Sequence, residues 1–259
     1  MIIEYFIVSS SGNVTALVTT PTEKNDYKKI STALFKTHSE VEQIGFLKND
    51  GDMLTLNMSG GEFCGNAILS AVALISDLTG KTGEYTVKIS GCDSLIKAKS
   101  EINNGEYHCV CEVPFSKNSR TFSAVVNGKE VLLPVIELDG IAHIIAPLDF
   151  DKEDAEKLIK SFAEKQNYKA LGIMFYGSST QKVTPLVYVA DVDTLFYEKS
   201  CASGSCAVCC YEVLKQNKAV SLKLNEPGGT ICVSADTNKK FVALSNKILI
   251  EKHFKNEIK

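Results

Sequence analysis

Glu62-Phe63-Cys64-Gly65-Asn66-Ala67-Ile68-Leu69-Ser70-Ala71-Val72 is one of two stretches on which the reading of this chain turns. The other is Glu198-Lys199-Ser200-Cys201-Ala202-Ser203-Gly204-Ser205-Cys206-Ala207-Val208, about half a chain length further on. Each runs from strand-like sequence into a cysteine, then small residues, then an apolar helical pattern. A unit repeated at that interval predicts two equivalent cysteines that face each other.

A cysteine just before a helix sits among backbone N–H groups that lack intrahelical partners. The positive helix end is expected to favour the thiolate and lower the thiol pKa. The small residues that follow let a ligand approach the backbone, and the free N–H groups suit a carboxylate. Two such units face to face match the needs of α-carbon inversion. A thiolate on one side removes the proton, and a thiol on the other side returns one. Fixed N–H dipoles stabilise the enolate-like charge that develops on the carboxylate.

The rest of the sequence narrows the classes. At 259 residues the chain is long enough for two domains, and 44% apolar with 23% charged residues is an ordinary globular balance. Twenty-eight Lys+Arg against 31 Asp+Glu give a net charge of −3, which argues against a nucleic-acid partner. Arg120 is the single arginine, so the capacity for bidentate grip on a distal carboxylate is minimal. The longest apolar run, Ala67 to Leu78, is too short for a membrane span, and Met1-Ile2-Ile3-Glu4-Tyr5-Phe6 reads as a strand. An odd count of nine cysteines points to free thiols in a reducing cytoplasm. The spacing of Cys201, Cys206, Cys209 and Cys210 along one helix suits neither zinc nor a redox pair, and no metal is expected. The motif for a phosphate loop, a dinucleotide fold or a serine-hydrolase elbow does not occur.

Helical patterns occur at about 26–36, 66–78, 152–166 and 203–216, among many β-branched or alternating strand signals. The class expected is α+β. The polar, turn-prone stretch from Pro114 to Arg120 marks the boundary between a first half, 1–115, and a second, 116–247. Residues 248–259 form a tail expected to pack back on the first half.

These residues resemble the two cysteine motifs of the diaminopimelate epimerase superfamily, cofactor-independent amino-acid racemases and epimerases. The resemblance extends in order to Ser11-Gly12-Asn13, Glu42-Gln43-Ile44-Gly45, Leu56-Asn57-Met58-Ser59-Gly60-Gly61 and Glu226-Pro227-Gly228-Gly229. It implies two pseudo-symmetric domains, each a mixed sheet rolled around a central helix. Cys64 and Cys201 would be the two bases, and no cofactor would be needed. Gly65, Asn66, Ala202 and Ser203 would offer N–H groups to the α-carboxylate, with Asn13, Gln43 and Asn57 lining the pocket. A homodimer is common in the superfamily.

The departures concern the distal end of the substrate. Gly140-Ile141-Ala142-His143 and Leu171-Gly172-Ile173 lack the asparagines of the diaminopimelate enzymes, and Val192-Asp193 stands where they carry a Glu-Arg pair. The stretch Gly60-Gly61-Glu62-Phe63-Cys64-Gly65-Asn66, the Glu40-Val41-Glu42-Gln43 segment and the acid Glu198 resemble the histidine racemases instead. Histidine is therefore the expected substrate, with Glu42 or Glu198 accepting a hydrogen bond from the imidazole. The alternatives are a diaminopimelate epimerase and a silent amino-acid-binding protein of the same fold.

Overall fold

The computed structural model describes residues 1–116, 118–126, 129–237 and 241–258. The chain starts with a hairpin of β1 (Ile2–Ser10) and β2 (Asn13–Val18), and α1 (Lys24–Thr37) then leads to β3 (Gln43–Asp50). After β4 (Met53–Met58) comes α2 (Gly65–Thr79), followed by β5 (Gly83–Ile89), β6 (Ile96–Asn103) and β7 (Glu106–Pro114). Beyond β8 (Ser119–Val126), a second hairpin of β9 (Lys129–Leu138) and β10 (Ile141–Ala146) is followed by α3 (Lys152–Gln166), β11 (Ala170–Gly177) and β12 (Lys182–Val189). A 3-10 turn (Ala190–Val192) and β13 (Thr194–Tyr197) precede α4 (Ala202–Gln216), β14 (Val220–Glu226), β15 (Gly229–Ala235) and the long β16 (Phe241–Glu257).

One pattern of pairing occurs twice. β1–β2 is antiparallel, β2–β3 parallel, β3–β4 antiparallel and β4–β5 parallel, and β5–β6 and β6–β7 are antiparallel. The same alternation runs through β9–β10, β10–β11, β11–β12, β12–β14, β14–β15 and β15–β16. Each parallel pair needs a crossover, and each crossover carries one of the four α-helices found among the described residues. β16 joins the two series. Its start pairs with both β7 and β15, and from Ile248 to Glu257 it pairs with β1, which closes the first series into a barrel.

Helix patterning explains which helices lie inside. α2 is apolar on all sides, and every residue from Gly65 to Ser76 is buried within that barrel. α4 is likewise buried from Ala202 to Cys210 and packs on β9, β11, β14 and β15. A single apolar cluster holds residues of both helices, among them Leu69, Val72, Val208 and Cys209. α1 and α3 bury only a stripe: Ile30 and Leu34 on the β1–β3 side, Ile159 and Phe162 against β11. Among the described residues no helix is long and apolar enough to cross a membrane.

Two glycine contacts lock the series together. Gly12 turns between β1 and β2 at φ +80°, and a Cβ there would lie 2.7 Å from Gly228 Cα, in the β14–β15 turn. Gly140 turns between β9 and β10 at φ +70°, and a Cβ there would lie 2.3 Å from Gly91 O, in the β5–β6 connection. At both places the backbones touch, and only glycine fits.

Candidate active site

The starts of α2 and α4 meet at the junction of the two series. Cys64 and Cys201 are the N-cap residues, with φ/ψ of −137°/107° and −132°/104°. The helix ends are so close that a methyl on Gly65 would lie 2.9 Å from Ala202 Cβ. Between them lies a cavity of about 30 Å³, room for about one water molecule.

Nine of the eleven residues that the sequence singles out are in or on this cavity's wall. Cys64, Cys201, Glu42, Gln43, Gly65, Asn66, Glu198, Ala202 and Ser203 line it. Asn13 does not. It is fully buried, and its Nδ2 donates to Glu42 Oε2 (2.9 Å) and to the Ser200 carbonyl (3.0 Å). Asn66 lines the cavity, but its Nδ2 also donates to the Ser200 carbonyl (2.9 Å), and its Oδ1 accepts from Ser10 Oγ (3.1 Å). Both asparagine side chains therefore fix the residue before Cys201. Asn57 is a correction. On β4 the inward positions are Leu54, Leu56 and Met58, which pack on α2, so strand alternation points Asn57 to the opposite face, away from the cavity.

A chain of polar contacts crosses the cavity from one thiol towards the other. Cys64 Sγ donates to Gln43 Oε1 (2.9 Å), and Gln43 Nε2 donates to Glu198 Oε1 (2.6 Å). Glu198 in turn bears on Cys201. Cys201 Sγ lies 3.5 Å from Ser203 Oγ, which lies 3.0 Å from His143 Nε2. Glu226 secures the second helix start: its carboxylate accepts from the Cys201 N–H (2.6 Å) and from Ser205 Oγ.

The electrostatics differ from the expectation of lowered thiol pKa values. The amides of Ala67 and Asn66 at Cys64, and of Gly204 at Cys201, do favour the thiolates. Burial outweighs them and pushes both thiols well above their ordinary value, and the Glu198 carboxylate adds to the rise. Burial also raises the carboxylates: Glu42 and Glu62 to about 7, Glu226 to about 8, and Glu198 strongly upward with Glu42 contributing. His143 is pushed down to about 3 by burial and is neutral. No lysine, arginine or histidine lines the cavity among the described residues. Arg120 lies elsewhere, paired with Glu137 at 3.0 Å. The cavity wall is thus acidic, and a cation within charge range of it, Lys199, acts on Glu42. Among the described residues no group of three or more His, Cys, Asp or Glu is arranged to hold a metal.

The model of the histidine racemase CntK N-terminal domain matches residues 2–253. The chain belongs to this histidine racemase family. It is 28% identical over 247 residues to the histidine racemase of Staphylococcus aureus, covering 90% of this chain and 89% of that one. It is 27% identical over 263 residues to the histidine racemase of Fusobacterium nucleatum, covering 96% and 95%. A hydroxyproline epimerase from Agrobacterium vitis, solved with trans-4-hydroxy-L-proline bound, has the same fold. Its TM-score is 0.69 at 9% identity, covering 98% of this chain and 92% of that one.

Within this histidine racemase site, several wall residues carry no sequence signal of their own. Phe35 of α1 and Phe196 of β13 close one side, with ring centroids 6.4 Å apart, and Val192 and Thr194 lie beside them. Glu62 stands two residues before Cys64 and lines the cavity. Glu226, behind the wall, stands just before the late Pro-Gly-Gly turn, where nothing in the sequence marks it as buried.

Proposed function

We propose that this protein is a cofactor-independent histidine racemase in which Cys64 and Cys201 act as opposed bases. The observation that carries the reading is the pair of thiols at abutting helix N-termini, with matching backbone angles and a shared cavity between them. The repeated strand pairing supports two pseudo-symmetric domains of the diaminopimelate epimerase type, divided near Pro114, with the end of β16 returning to the first. No lysine lines the cavity among the described residues, so no Schiff-base nitrogen is at hand there. Free thiols throughout the described residues suit a reducing cytoplasm.

The substrate's α-carboxylate lies across the starts of α2 and α4, where the amides of Gly65, Asn66, Ala202 and Ser203 and two helix dipoles favour negative charge. Its α-ammonium lies beside Glu198. A cation there offsets the part of the thiols' rise that comes from the Glu198 carboxylate, so binding itself moves one thiol towards the thiolate. That sulfur takes the α-hydrogen as a proton, and the C–H electron pair moves into the carboxylate as an enediolate. The opposite thiol gives its proton to the other face, keeps the S–H pair and becomes the thiolate for the reverse direction. The cavity admits a histidine only when Phe35 and the β13 segment part, and their return excludes water.

The test is loss of the α-proton signal of L-histidine in D2O, followed by proton NMR with freshly reduced protein. Exchange accompanied by D-histidine formation is the expected result. Exchange of diaminopimelate in preference to histidine would favour the epimerase. Binding of an amino acid with its α-proton retained would favour a silent binding protein.

A further inference from the structure

Two glutamates of this cavity wall each keep one buried carboxylate oxygen without a hydrogen-bond partner, Glu198 Oε2 and Glu62 Oε2. The Glu198 carboxylate otherwise takes the Gln43 amide and the Cys201 thiol, and the Glu62 carboxylate the backbone amides of Gly60 and Glu62. The two residues are 3% and 6% exposed, and both line the same small space. Leaving a carboxylate oxygen buried and unpaired costs free energy that a ligand N–H can recover. The two acids occupy different parts of the wall. Glu198 lies within charge range of both thiols, at the place where the α-carbon must sit. Glu62 lies on the Cys64 side, its carboxylate facing the backbone amides of Gly60 and Glu62 and the charge of Asp191. A Cβ on Gly60 would lie 2.8 Å from Glu62 Oε2 and 2.5 Å from Val189, so this oxygen is walled by backbone and by β12, close under the 3-10 turn. Glu42, the other acid in the wall, already accepts from Asn13.

We propose that Glu62 is the residue that reads the substrate side chain, accepting an N–H from a cationic or hydrogen-bonding ring, while Glu198 receives the α-ammonium. The assignment rests on the racemase reading above and adds the specificity element to it. It predicts that the side-chain pocket selects for an N–H donor and against a carboxylate or an uncharged isostere. Two acids with no cation among the lining residues suit a ligand with two separate positive or donor groups. They exclude a distal zwitterion, whose carboxylate would meet Glu62.

The test compares wild type and Glu62→Gln, with L-histidine and β-(2-thienyl)-L-alanine, a ring of similar shape without N–H. Racemisation gives KM and kcat, and calorimetry gives histidine binding directly. For wild type, kcat/KM for the thienyl analogue falls by about 100-fold or more relative to histidine. In Glu62→Gln, KM for histidine rises about tenfold while kcat stays within about threefold, the signature of lost ground-state binding. Wild-type turnover of the thienyl analogue on a par with histidine overturns the assignment, and this arm does not depend on the variant folding. So does a folded Glu62→Gln with unchanged KM, although the racemase reading then stands. Histidine bound by wild type and more weakly by the variant, without α-proton exchange in either, keeps the Glu62 assignment and removes the racemase reading. No histidine binding by wild type overturns both.

Discussion

The two helix starts share a backbone and differ in almost everything that touches the sulfur. Cys64 and Cys201 agree within 5° in φ and 3° in ψ. Yet Cys64 Sγ accepts the Ala67 N–H (3.4 Å) and donates to Gln43, whereas Cys201 makes no side-chain cap and has its own N–H held by Glu226. Two residues on, Asn66 reaches across to the Ser200 carbonyl, while the matching Ser203 lies between Cys201 and the buried His143. In the proposed scheme, inverting a carbon needs two bases at mirror positions, and the repeated strand pairing places the two thiols to serve. It does not require the bases to be tuned alike. The contacts around each thiol are set by sequence and have diverged.

The largest effect should come from removing either thiol. A hydroxyl is a far poorer base at neutral pH, so Cys64→Ser and Cys201→Ser should each lower racemisation by about 10²–10⁴-fold. Each variant keeps one base and so one reactive face. In D2O, one should still exchange the α-proton of L-histidine and the other that of D-histidine. The split assigns each cysteine to a face, and equal exchange of both enantiomers by a single variant would sink the two-base scheme.

How much of this was legible beforehand follows the same contrast between position and tuning. The buried helices were readable because α2 is apolar all round and begins at a cysteine followed by small residues; 66–78 was expected and Gly65–Thr79 is found. α3 was expected at 152–166 and spans Lys152–Gln166, since its amphipathic period and the cap at Asp151 are local. β10 is not legible as a strand: Ile141-Ala142-His143-Ile144-Ile145-Ala146 is buried throughout, so it carries no alternation to betray one. β16 was missed as one strand because its 17 residues lie on one series and then the other. The thiols' positions were legible, but the direction of their pKa shifts was not. A helix end is visible in sequence, whereas the burial that overrides it depends on residues far along the chain. Glu62 and Glu226 escaped for a related reason, since a glutamate in a sequence reads as solvated until the fold encloses it.

The acids behind the two thiols offer a second separation. Glu62, on the Cys64 side, is raised to about 7, and Glu226, on the Cys201 side, to about 8. Their unfolded values lie near 4.5. Between those values the native state holds protons that the unfolded chain has lost, so stability from these groups is fully present below about pH 4.5 and declines as pH rises through 7 and 8. Thermal unfolding should show Tm falling by roughly 5 °C or more from pH 5 to pH 8.5. Glu62→Gln should lessen that slope only below about pH 7, whereas Glu226→Gln should lessen it over the whole range up to about pH 8. A Tm that rises with pH over this range would contradict the burial that raises these two carboxylates in the free protein.

The smallest effect probes Ser203. Its hydroxyl is placed to donate to the Cys201 sulfur, provided that His143 donates to Ser203 in turn. The histidine meets that condition: His143 is neutral and its Nδ1 has no partner. A bare lone pair at Nδ1 costs less than a buried unpaired N–H, so the proton belongs on Nε2, facing Ser203. The Ser203 hydroxyl therefore favours the thiolate of Cys201 and has no counterpart at Cys64, where an asparagine stands. Losing one such hydrogen bond is worth about 0.5–1.5 kcal/mol, or roughly 2- to 13-fold in rate. In the Cys64→Ser background, where exchange runs through Cys201, Ser203→Ala should slow α-proton exchange by that factor. It should also move the rising limb of the pH–rate profile to higher pH. In the Cys201→Ser background the same substitution should change neither. Equal slowing in both backgrounds would mean that Ser203 serves the carboxylate cradle that the two bases share, and that its hydroxyl does not tune one thiol.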